Sequence, residues 1–113
     1  MQHVSAKQGV VIIGAGERGV YFIGSRIAEA VRESGLRVIG VFDRIPARAE
    51  MAAEHLNSLY AEQGVPGAVQ VFGNLEEAVA HPLVALVIVT THTDGHREPV
   101  ECAVAHGKRV YLD

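Results

Sequence analysis

An apolar run, Val10-Val11-Ile12-Ile13, breaks into Gly14-Ala15-Gly16-Glu17-Arg18-Gly19, a GxGxxG pattern, and then into helical periodicity. A strand, a tight glycine turn and a helix start in that order bring backbone N–H groups and the helix dipole to one point, where they face a diphosphate. In such a turn Gly14 permits the sharp bend, Gly16 lets phosphates approach the backbone, and Gly19 lets the helix pack on its strand. Ala15 belongs to the same cofactor-binding turn, and Glu17 and Arg18 offer backbone N–H groups more than side chains. The bland alternative is a purely structural glycine turn. The strand before it and the helix after it favour a phosphate-bearing ligand.

Apolar runs of strand length at 9–13, 37–42, 69–72, 84–90 and 109–112 alternate with segments of helical period, the pattern of repeated β-α units around a parallel sheet. The fourth run, Val84 to Val89, is continuously apolar, as a strand covered on both faces should be, and is expected in the middle of the sheet. The first helix carries Val20, Ile23, Ile27 and Val31 on one stripe and ends at Gly35. The second opens at Pro46, carries Ala49, Ala53, Leu56 and Tyr60 on one face and stops at Gly64. Asn74 and Glu77 read as a capping box for a short helix closed by Pro82, and Pro99 falls in the first turn of a last helix that ends at Gly107.

With right-handed crossovers, the expected architecture is α/β: a Rossmann-type three-layer α/β/α sandwich on a five-stranded parallel sheet of order 3-2-1-4-5. Ligands bind such a sheet at the strand ends beside its switch point. The residues leaving the first, second and fourth strands are therefore the candidates. Asp43 ends the second strand at close to the spacing of about 20 residues expected for an acid that accepts hydrogen bonds from the adenosine ribose hydroxyls. It favours NAD over NADP, although the adjacent Arg44 can attract a 2′-phosphate or lie flat against adenine. The alternative for Asp43 is a solvated turn residue. Thr90, Thr91, His92 and His96 leave the fourth strand, and their hydroxyls and ring nitrogens are expected to face the nicotinamide ribose and diphosphate. His92 and His96 are four apart, but Gly95 interrupts any helix there and no third ligand is evident, so no metal site is expected. His3, His55, His81 and His106 read as ordinary surface residues. Cys102 reads as core filling, and no nucleophile elbow is present.

At 113 residues with 49% hydrophobic and 20% charged residues, the chain is expected to form one domain, 1–113, with one core. A net charge of −3 supplies no basic stripe for nucleic acid, and no run approaches the roughly 18 apolar residues a membrane span requires. One cysteine excludes an internal disulfide and fits a reducing compartment, so a cytoplasmic protein is expected. The last strand leaves an open sheet edge, from which a homodimer is expected.

Together these residues resemble the N-terminal domain of the Gfo/Idh/MocA oxidoreductases, named for glucose-fructose oxidoreductase and inositol dehydrogenase. The likeness rests on Val11 to Gly19, on Val38-Ile39-Gly40-Val41-Phe42-Asp43-Arg44, on Asn74-Leu75-Glu76-Glu77-Ala78-Val79, and on Val87 to His96. The tail from Ala103 to Asp113 resembles the stretch leading into that family's Glu-Lys-Pro signature, with Asp113 standing in for the Glu. His92 replaces a proline common in the fourth-strand loop. The resemblance implies hydride transfer between a nicotinamide cofactor and a sugar, polyol or related hydroxy compound. It also implies that the lysine of proton transfer and a C-terminal substrate domain lie outside these residues, so that the chain binds cofactor without turnover and holds no catalytic residue. A stand-alone nucleotide-binding sensor is the alternative. A transferase using S-adenosylmethionine is a third, disfavoured by the absence of an acid just before the glycines.

Overall fold

Alternate residues of the first strand face opposite hydrophobic layers. A computed structural model describes residues 9–16, 21, 23–65, 68–91 and 95–112. Strand β1 (Gly9–Ile13) is buried along its whole length. Val10 and Ile12 join one core with Ala49, Ala52, Leu56 and Tyr60, while Val11 and Ile13 join a second with Ala78, Val79, Val87 and Ala103. Two-sided burial of this kind is what a continuous apolar strand needs.

The sheet is completed by β2 (Arg37–Phe42), β3 (Gln70–Val71), β4 (Val84–Val89) and β5 (Arg109–Leu112), all parallel, in the order β3-β2-β1-β4-β5. The expected order holds. β4 is interior, as its composition demands, but β1 occupies the centre. β1 and β2 shift register between Val10 and Val11, so that Val10 pairs Val38 and Val11 pairs Gly40. The extra residue lets Val38 and Val41 both face the first core. On the other face Phe72 lies against Gly40, where even one methyl group would overlap its ring.

Helix α3 (Pro46–Glu62) covers the first face with Ala49, Ala52, Ala53, Leu56 and Tyr60, as its spacing predicts. It ends in a Schellman arrangement, Val65 N–H donating to Tyr60 C=O and Gly64 N–H to Ala61 C=O. Of the expected first helix, residues 21 and 23–24 form a π-helical turn that leads into α1 (Ser25–Glu29), and α2 (Val31–Ser34) follows after Ala30. Gln63, the C-cap of α3, donates its side-chain amide to the Ala28 carbonyl at 2.7 Å, beside the break. Ile23 and Ile27 pack on the first core. Val20 lies outside the described residues, and of Val31 only the backbone is described. On the opposite face lie α4 (Leu75–Ala80) and α5 (Arg97–Ala105). Asn74 caps α4 by accepting the Glu77 N–H at 2.8 Å.

β3 is shorter than expected because the Val69 N–H goes to the Asn57 side chain at 2.6 Å. His55 and His81 are not plain surface residues. His55 is half-buried, 2.9 Å from Ser25 Oγ with its ring against Tyr21, and so links α3 to the α1 side. The half-buried His81 accepts the Leu83 N–H and meets the Phe72 ring edge-on. His3 and Asp113 lie outside the described residues. No helix among the described residues is long and apolar enough to cross a membrane.

Candidate dinucleotide site

The C-terminal ends of β1, β2 and β4 lie side by side, and the turn after β1 is tied to both neighbours. Gly14 has φ of +101°, a conformation that strains any other L residue, and its N–H donates to the Phe42 carbonyl at 2.8 Å. From β2, Asp43 accepts the Ala15 N–H at 2.7 Å on one carboxylate oxygen and the Ile45 N–H at 2.8 Å on the other. From β4, the Thr90 hydroxyl donates to the Gly14 carbonyl at 2.9 Å. Gly14, Ala15, Asp43 and Thr90 are thus brought into one hydrogen-bonded cluster.

Gly16 stands apart from it. Among the described residues, a Cβ built there meets nothing within 4 Å, whereas Gly14 is enclosed. Arg44 is exposed, and with Phe42, Asp43, Pro46, Val71, Phe72 and Gly73 it lines a cleft of about 360 Å³ beside the carboxylate. The sequence reading missed Pro46, Val71, Phe72 and Gly73. Their signal lies in topology: once β3 pairs with β2, the residues leaving β3 must flank Asp43.

At the other side of the turn, Thr91 Oγ is buried with no hydrogen-bond partner among the described residues. Its main-chain carbonyl accepts from His96 Nε2 at 2.8 Å. A carbonyl only accepts, so His96 carries its proton on Nε2, and in the neutral ring Nδ1 is left as an acceptor. Glu17, Arg18, Gly19 and His92 lie outside the described residues, and the His92–His96 pair with them.

These features fit a dinucleotide. Each carboxylate oxygen of Asp43 has a lone pair beyond its backbone bond, the number two ribose hydroxyls require. No described residue fills the space at Gly16, where a phosphate fits, and the Thr91 hydroxyl, without a partner among the described residues, suits a polar ligand group, since leaving one unpaired costs about 1–3 kcal/mol.

Outside this region, Cys102 is half-buried against the second core. Burial pushes its thiol above the usual range, and the charges of Glu76 and Glu98 push the same way. His106 Nδ1 lies 2.9 Å from the Cys102 carbonyl and 3.9 Å from its sulfur, so its proton goes to the carbonyl and His106 is not aimed at the thiol as a base. Among the described residues no group of three or more His, Cys, Asp or Glu side chains is arranged to hold a metal.

A parallel sheet of this order, with a glycine turn at its switch point and a carboxylate beside it, defines a dinucleotide-binding Rossmann domain. The Gfo/Idh/MocA model, described as an oxidoreductase family with an NAD-binding Rossmann fold, matches residues 8–113, and the chain belongs to that family. Among solved structures it is similar to an NAD binding oxidoreductase from Klebsiella pneumoniae, with 27% identity, a TM-score of 0.71, and coverage of 96% of this chain and 27% of that one. An NAD-binding protein from Listeria innocua matches with 28% identity and a TM-score of 0.67 over 94% of this chain and 27% of that one. Myo-inositol dehydrogenase from Lactobacillus casei, solved with NAD(H) and myo-inositol, shares the fold at 21% identity and a TM-score of 0.70, over 92% of this chain and 27% of that one. The chain therefore spans about a quarter of the length of the structures it matches. No curated protein matches it.

Proposed function

We propose that this chain is the cofactor-holding domain of an oxidoreductase that moves a hydride between NAD and a sugar, polyol or related hydroxy compound. The observation that carries the reading is the pairing of Gly16, covered by no described residue, with an anchored carboxylate, Asp43, one strand away. The diphosphate lies over the turn from Gly14 to Gly19, where Ala15, Glu17 and Arg18 belong to the same backbone segment. Asp43 accepts from the adenosine ribose, and the adenine enters the cleft between Arg44 and Phe72. Thr90, Thr91, His92 and His96 border the nicotinamide half. NAD supplies the hydride acceptor at its nicotinamide ring. The protein's part is to fix that ring's position.

NAD is preferred over NADP because the Asp43 carboxylate would face a 2′-phosphate of the same charge. The substrate class rests on the family resemblance and on the myo-inositol bound by the Lactobacillus casei enzyme. We expect the chain to act in the cytoplasm, to pair with a second copy at the exposed β5 edge, and to bind NAD without oxidising polyols by itself. The resemblance puts the proton-transferring lysine and the substrate domain outside residues 1–113. Calorimetry with NAD, NADP and S-adenosylmethionine, together with an assay of NADH formation on myo-inositol, tests the reading. Binding of NAD at least about tenfold tighter than NADP, a difference of about 1.4 kcal/mol, with no binding of S-adenosylmethionine and no turnover, is expected. Failure to bind NAD would overturn the site, and turnover by these residues would mean that catalytic groups lie within them.

A further inference from the structure

The Gly14–Ala15 peptide is held at both ends. Its carbonyl accepts from the Thr90 hydroxyl at 2.9 Å, on the β4 side, and its N–H donates to Asp43 at 2.7 Å, on the β2 side. C=O and N–H of a trans peptide point in opposite directions and the plane is rigid, so these two bonds fix its orientation. The flanking Gly14 N–H is also engaged, by Phe42. Gly16 is then the first residue of the turn whose N–H has no partner among the described residues, and no described residue covers it.

We propose that Asp43 and Thr90 clamp the Gly14–Ala15 peptide, and that Asp43 is thereby a positioning residue for the diphosphate as well as an acceptor for the ribose. The Ala15 N–H is directed to Asp43 and is not a diphosphate donor. The first amide offered to the ligand is that of Gly16. This rests on the reading that the turn holds a diphosphate, and it adds that one carboxylate couples the two halves of the adenosine diphosphate site. A carboxylate anchored to two backbone amides also cannot swing aside to admit a 2′-phosphate, so the clamp and the preference for NAD have one origin.

The test uses NAD and an NAD analogue whose adenosine ribose lacks both hydroxyls, titrated by calorimetry into the 113-residue chain and its variants. If Asp43 acts through the ribose alone, Asp43→Ala leaves the affinity for the analogue unchanged, and the proposal is overturned. The clamp instead requires that Asp43→Ala weaken the analogue by about tenfold, as loss of a hydrogen bond to a charged group does. Thr90→Val, which keeps the side-chain shape and removes the hydroxyl, should weaken it in the same direction. Asp43→Asn keeps one acceptor oxygen and should fall between Asp43→Ala and the unmodified chain.

Amide hydrogen exchange on the unmodified chain gives an answer that no folding defect can obscure. The Ala15 amide should be protected before NAD is added and stay so afterwards, while the Gly16 amide gains protection only with NAD. An Ala15 amide that exchanges freely until NAD binds would overturn the clamp. Should the unmodified chain bind neither NAD nor the analogue, the failure lies in the dinucleotide assignment itself.

Discussion

A methyl group added at Gly14 and one added at Gly16 have different consequences, although the motif spells both positions with the same letter. At Gly14 the backbone has φ of +101° and a Cβ would lie 3.1 Å from both Thr90 Oγ and Thr91 N. Gly14→Ala is therefore expected to lose about 2 kcal/mol of stability, measured by urea denaturation. At Gly16 the Cβ would touch no described residue, so Gly16→Ala should stay within about 0.5 kcal/mol of the parent in the same experiment. Its NAD affinity should nevertheless fall by about tenfold or more, because the methyl occupies the phosphate approach. Equal affinities would show that the ligand does not pass over the turn. The spacing of the glycines was legible in the sequence. The bonds from Asp43 and Thr90 to the Gly14–Ala15 peptide were not, since each joins residues far apart along the chain and depends on which strands become neighbours.

At the scale of elements, β1, β2 and β5 fall where apolar patterning places them: β1 lies between Gln8 and Gly14, β5 between Lys108 and Asp113, and β2 ends at Asp43. Tertiary bonds lie at other boundaries: Asn57 takes the Val69 N–H from β3, and the Gln63 amide reaches the Ala28 carbonyl beside the break in the first helix. The Tyr60 contact belongs to the same class. Its apolar spacing on α3 was readable, but its hydroxyl has a second role, accepting the buried Val38 N–H of β2 at 2.8 Å. Tyr60→Phe leaves that N–H unpaired and should cost about 1–3 kcal/mol. Burial raises the Tyr60 phenol above its ordinary value of 10.0, while the Val38 bond and the Arg37 guanidinium stacked 5.0 Å from the ring pull the other way. With the folded value raised, the unfolded chain releases its proton first as pH rises. Stability from Tyr60 is then complete below pH 10.0 and is lost as pH climbs through the higher folded value. Denaturation midpoints of the parent should fall across that alkaline window, and those of Tyr60→Phe should fall less. Parallel slopes would mean that the phenol ionises alike in both states.

Across the whole molecule, the proposed ligand would touch loops rooted in β1, β2 and β4, the three strands that carry both cores. An opening of the sheet large enough to unfold the domain must separate those loops, so binding should stabilise the entire fold. Ligand at a hundred times its dissociation constant adds about 2.7 kcal/mol. For a domain of this size that raises the melting temperature by about 10 °C or more. NADP at the same concentration should raise it less, if Asp43 stays anchored beside the ribose. A homodimer through β5, where Tyr111 and Leu112 are each about half exposed, would leave a separate mark. The melting temperature would then rise with protein concentration even without NAD, because association favours the folded state by mass action. A melting temperature that rises with NAD but is constant over a hundredfold range of protein concentration would leave the cofactor site standing and remove the dimer. The two effects separate because β5 lies at the sheet edge, beyond β4, whereas the glycine turn leaves the central strand.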